Sequence, residues 1–112
     1  MKTVAIETPY AGDTERNLTY LRACLRDSIQ RGEAPFASHG LYTQPGVLDD
    51  DDPDERALGI RAGFEWASRA IVRVFYIDLG ISDGMRQAQD HARAIGQPIV
   101  LRRLGPRGQR ET

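Results

Sequence analysis

Cysteine is nearly absent from this chain: Cys24 is the single one in 112 residues. One thiol excludes an intrachain disulfide and fits a reducing compartment; within a predicted helix it reads as a small, partly buried side chain. Long apolar runs are absent too, so no stretch approaches a membrane span. The opening MKTVAIETPY lacks the long apolar core of a signal peptide, and a cytoplasmic location is therefore expected. Charge of one sign is not in excess. A formal net charge of -1 leaves no basic face of the kind nucleic acid demands, so neither nucleic acid nor membrane is an expected partner. Several reaction signatures are missing as well. There is no G-x-S-x-G elbow for a serine nucleophile, no Walker A loop, and no G-x-G-x-x-G dinucleotide fingerprint. No internal repeat is visible, and the length suits one domain with one core.

What is present centres on Val72 to Ile95. The run Val72-Arg73-Val74-Phe75-Tyr76-Ile77 is apolar, β-branched and aromatic; it stops at Asp78, passes Gly80, Ser82 and Gly84, and turns helical at Met85. That pattern predicts a buried parallel strand, a tight turn and a helix N-terminus, which together place backbone N–H groups and a carboxylate at the carboxyl edge of a sheet. Ligands of open α/β sheets sit at such edges.

The remaining elements follow in order. Lys2–Glu7 predicts a first strand, broken by Thr8-Pro9-Tyr10-Ala11-Gly12-Asp13. Asp13 or Thr14 then caps a helix with Leu18, Leu21, Leu25 and Ile29 on one stripe, ended by Gly32. Ala34–Ser38 predicts a second strand, and residues 39–52 a long loop of the functional or mobile kind. Asp52-Pro53-Asp54-Glu55 is a helix start with its cap, its proline at the first position and its glutamate at the third. That helix carries Ala57, Ile60, Phe64, Ala67 and Ile71 on one stripe, with Trp66 off it and so suggesting a second apolar contact. A third helix, about residues 83–95, turns Met85, Ala88, Ala92 and Ile95 inward, and residues 97–101 form the last strand. Residues 103–112 read as a polar, disordered tail after a domain of residues 1–102. The order β-α-β-α-β-α-β predicts an α/β, flavodoxin-like three-layer sandwich: a parallel sheet of about four strands in the order 2-1-3-4, with helices on both faces.

In that order Tyr10, Gly12, Asp78 and Ser82 share one crevice, with Gly80 and Gly84 allowing close backbone approach. Ser38, His39 and Tyr42 follow the second strand and could line it too; His39 is a candidate acid or base, weighed against an incidental loop histidine. The acidic run from Asp49 to Asp52 raises the question of a metal. Four consecutive carboxylates point in different directions, so a solvated helix start explains most of them and neither a metal nor another cofactor is expected.

These segments taken together resemble the nucleoside 2-deoxyribosyltransferase-like superfamily, in the form of its small bacterial and phage members. The resemblance rests on the first strand entering Thr8-Pro9-Tyr10-Ala11-Gly12-Asp13, on Ser38-His39, on Asp78-Leu79-Gly80-Ile81 with Gly84-Met85, and on residues 94–100. It implies a flavodoxin-like fold that holds a nucleoside or nucleotide at the carboxyl edge, in a homo-oligomer. It also implies the chemistry of the active enzymes, in which a glutamate two residues after the turn glycine attacks the anomeric carbon; related members hydrolyse deoxynucleoside monophosphates. By this resemblance Asp78 matches an active-site aspartate, Gly84 and Met85 the turn glycine and its neighbour, and Tyr10 the loop over base or sugar. The nucleophile position is Arg86, which stays protonated and cannot attack carbon. Asp83, or Asp78, could take the carboxylate's place, and Arg86 could pair with a phosphate or a carboxylate. Three functions stay open: an N-glycosidic transferase or hydrolase, a non-catalytic nucleotide binder such as a sensor or phage-type sequestering protein, and an interaction module assembling through Trp66 and helix faces.

Overall fold

The computed structural model describes residues 1–104. Strand β1 (Lys2–Glu7) leads into helix α1 (Thr14–Gln30), strand β2 (Glu33–Phe36), a short helix α2 (Ser38–Leu41) and helix α3 (Pro53–Ala67). Strand β3 (Val72–Tyr76), helix α4 (Asp83–Ala94) and strand β4 (Ile99–Arg102) complete it. The four strands are parallel in the order β2-β1-β3-β4, the flavodoxin-like arrangement expected from the sequence.

Alternation along β1 and β3 divides the interior in two. Val4, Ile6, Val72, Val74 and Tyr76 pack with Leu21 and Cys24 of α1 on one face of the sheet. Phe75 packs on the other face with Met85 and Ala88 of α4 and with Phe64 of α3. All five residues of β3 are buried, as a central strand covered on both sides requires. Arg73 is among them and wholly enclosed, so an ionic group lies in the middle of the sheet.

Several boundaries differ from expectation. β2 begins at Glu33 and ends at Phe36, with Pro35 opposite Val4 of β1. Ser38 leaves the strand to open α2, inside the segment that composition marks as loop. One turn is too short to show a helical period; it exists because it packs on α3, where Gly63 leaves room for the Ser38 side chain that a Cβ would strike. The apolar stripes also overrun their helices. Ile29, Ile71 and Ile95 lie at or past helix ends and are about half exposed. Trp66 is exposed and meets Phe36 of β2, ring centroids 6.5 Å apart, which is the second contact its position suggested. Leu104 is packed on the α1-side core, and residues 105–112, most of the expected tail, lie outside those described.

Candidate functional site at the carboxyl edge of the sheet

Two loops meet beside the ends of β1 and β3. The first is held from below by Asn17 of α1, a buried side chain whose amide donates to the carbonyls of Tyr10 (2.8 Å) and Ala11 (3.1 Å). Gly12 completes the bend with φ of 97°, a left-handed value that favours glycine, and the Asp13 side chain accepts from Arg16 N to start α1. The second loop turns at Gly80, φ 86°, whose N–H donates to the Ile77 carbonyl. Ser82 then caps α4, its hydroxyl accepting from Met85 N at 3.2 Å.

Between the loops lies a cleft of about 320 Å³, with Tyr10 of the first loop and Ser82, Asp83 and Gly84 of the second on its walls. Met85, Gln87, Ser38 and His39 line it too, and Phe64 and Ile60 supply apolar surface from α3. A wider hollow of about 690 Å³ adjoins it, reaching Gly12 and the acidic run; a small one of about 70 Å³ reaches Tyr42. Asp50 and Arg56, paired at 3.2 Å, border all three spaces.

His39 is fixed here by a 2.7 Å hydrogen bond between its Nε2 and the Thr8 hydroxyl, with Tyr10 edge-on at 6.4 Å. Burial pushes its pKa down to about 4, so the ring is neutral at ordinary pH and serves as a hydrogen-bonding group. Glu7 ends β1 on the cleft floor, its Oε2 accepting from Arg73 Nε at 2.9 Å. Its pKa is raised, because burial outweighs the pull of the Arg73 guanidinium.

The acidic run is largely consumed by its own loop. The Asp52 side chain accepts from the N–H groups of Asp54 and Glu55, Asp49 from Asp51 N, and Asp50 from Arg56. Among the described residues, no three histidine, cysteine or acidic side chains are grouped to hold a metal ion, and no helix is long and apolar enough to cross a membrane.

Residues 2–102, the full span from β1 to β4, match the family model described as Domain of unknown function (DUF7768). The chain belongs to that family. No curated protein matches it. Among solved structures, the 2-deoxyribosyltransferase of the psychrotolerant bacterium Bacillus psychrosaccharolyticus superposes with a TM-score of 0.63 at 16 % identity, over 98 % of this chain and 77 % of that one. The CMP N-glycosidase of Clostridium botulinum superposes at 0.54 with 14 % identity, over 89 % and 70 %. At such identities the likeness is one of fold, and it is the fold of the superfamily the sequence resembles.

Within this DUF7768 domain the expected site residues separate into groups. Tyr10, Ser38, His39, Ser82, Asp83, Gly84 and Met85 are together in the cleft, while Gly12 and Tyr42 border the adjoining hollows. Asp78, Gly80 and Arg86 are not on those walls. Both Asp78 carboxylate oxygens accept from Leu104 N, at 2.7 and 3.0 Å, and its own N–H donates to the Tyr20 hydroxyl. Asp78 thus anchors the chain after β4, which corrects its expected place in the crevice. Asp78→Ala is expected to cost about 1–2 kcal/mol in urea denaturation and to leave cleft ligands bound as tightly. Gly80 acts through its turn, and Arg86 faces solvent, pairing with Asp83 at 3.1 Å. Glu7 and Arg73 were missed, and with them Phe64 and Gln87 of the cleft lining. Glu7 lacks any motif, although it has the strand parity of Ala5, opposite to Val4 and Ile6. Arg73 was visible as a cation inside an apolar strand, a position that demands a partner.

Proposed function

We propose that this DUF7768 domain binds a nucleoside or nucleotide in the cleft. One observation carries the reading: Tyr10 and Ser82, far apart in sequence, line the same space at the carboxyl edge, beside the β1 and β3 strand ends where such sheets take ligands. Tyr10 and Phe64 offer aromatic surface for a base, while Ser38, His39, Gln87 and the first turn of α4 offer polar contacts for a sugar or its substituents.

A second reading adds cleavage or transfer of the N-glycosidic bond. It is favoured by the two similar folds, whose names are those of a deoxyribosyltransferase and an N-glycosidase, and by Asp83 at the cleft wall. Arg86 at the nucleophile position, turned to solvent, favours binding without turnover. Calorimetric titration with nucleosides and their 5′-monophosphates, followed by chromatography of the recovered ligand, separates the two. Saturable binding with intact ligand is the expected result. Release of free base would select the enzyme, and no binding across the panel would remove both readings.

A further inference from the structure

The cleft floor contains an arrangement that the binding proposal leaves unused. Glu7 Oε2 is held by Arg73, among the described residues no hydrogen-bond donor engages Oε1, and the side chain, 14 % exposed, lines the cleft. Arg73 is itself immobilised. Its Nη1 contacts His91 Nδ1 at 2.8 Å and donates to Gln97 Oε1 at 3.1 Å, and its guanidinium lies 5.2 Å from the Phe64 ring centre. Gln97 in turn donates to the carbonyls of Ala67 and Ala70, and His91 stacks on Phe64 with centroids 4.2 Å apart. Four elements and the β4 approach therefore fix one carboxylate.

We propose that Glu7 is the carboxylate that receives the ligand's sugar hydroxyls, with Arg73 as its positioning residue. The inference rests on the nucleoside or nucleotide reading above and names the group that reads its sugar.

The charges around the cleft favour a neutral donor at this end over an anion. Glu7, Asp50 and Asp83 line it, paired with Arg73, Arg56 and Arg86 in turn, and of these three cations Arg56 alone is also on its wall. His39 contributes no positive charge, and His91 behind Arg73 is likewise held below the ordinary histidine range, chiefly by burial. A carboxylate with one oxygen clamped presents a fixed acceptor, and hydroxyl groups are the donors that a sugar carries. A buried guanidinium is also an expensive way to fill a strand interior that an apolar side chain would fill, which fits a role in aiming its partner.

The test is titration of adenosine, cytidine, guanosine and uridine, with their 2′-deoxy forms, into the wild type, Glu7→Gln, Arg73→Lys and Asp83→Asn. Clamping by Arg73 turns the amide of Glu7→Gln so that its NH2 faces the cleft, and affinity is expected to fall about tenfold or more. Arg73→Lys, which keeps the charge but not the fork, should lose a smaller factor. Wild-type affinity should weaken as pH falls and Glu7 takes up its proton above the usual glutamate range, with Asp83→Asn following the same profile and Glu7→Gln flat. Equal affinity and equal pH profiles for wild type and Glu7→Gln would overturn the proposal. If Glu7→Gln does not fold, the profiles of wild type and Asp83→Asn decide: weakening in both supports Glu7, a flat profile in either refutes it. A wild type that binds none of these nucleosides or their 5′-monophosphates fails at the earlier step, the ligand class itself.

Discussion

Arg102→Met is expected to destabilise the protein by about 3–5 kcal/mol, the usual cost of removing one partner from an enclosed ion pair. For a domain of this size that is a fall in Tm of more than about 12 °C. Arg102 of β4 donates through both terminal nitrogens to the two oxygens of Glu33 of β2, at 2.8 and 2.9 Å, and to the Tyr76 hydroxyl at 3.1 Å. The Tyr76 hydroxyl donates in turn to Asp27 Oδ2 at 2.7 Å, and the Ser28 hydroxyl donates to Glu33. Methionine fills the space and leaves Glu33 charged without its cation. Hydrogen bonding to Arg102 is the main reason the Glu33 pKa lies below its ordinary value of 4.5. The stabilisation it reports is therefore present at neutral pH and drains away as pH falls through that lowered value. Urea unfolding should show the gap between wild type and variant widest near neutrality and narrower in acid. Glu33→Met combined with Arg102→Met should recover much of the loss, because an apolar pair leaves no orphaned charge. A double variant no better than the single one would place the stability elsewhere.

Arg73→Met is expected to cost a similar amount, about 3–5 kcal/mol, with a deficit that again grows with pH but over a range displaced upward by the raised Glu7 pKa. Glu7 already has a raised pKa, held down in part by Arg73. Without the guanidinium it rises further, so the folded state binds the proton more tightly than the unfolded one. Such a group favours folding below its unfolded value and loses that contribution as pH rises through the folded one. The deficit of Arg73→Met should thus grow as pH rises above the usual glutamate range, measured by urea denaturation at a series of pH values. A deficit independent of pH would mean that Gln97 and His91, not Glu7, are what Arg73 serves.

These two clusters show what the sequence discloses and what it withholds. The turn from Asp78 to Met85 was legible because the continuous β-branched and aromatic run of β3 changes to helical spacing across glycine and a capping serine, all within one short stretch. Tyr10 and Ser82 were placed together by strand order, which follows from the alternation of elements. Arg73 was legible as an anomaly only. Its partner Glu7 lies 66 residues away in the chain, and no local pattern encodes that distance. Asp78 misled for the same reason: a carboxylate at a strand end signals a partner, and sequence cannot distinguish a ligand from the Leu104 N–H. Arg86 was placed by counting from Gly84, a count that carries no information on its outward direction, which depends on the pitch of α4.

Pro35 sits inside β2, the strand that closes one side of the sheet, where it pairs only with β1. A proline ring offers no N–H, so the outer rim of that strand has a missing rung. A neighbouring polypeptide cannot zip onto it in an unbroken ladder, and growth of sheets from molecule to molecule is blocked on that flank.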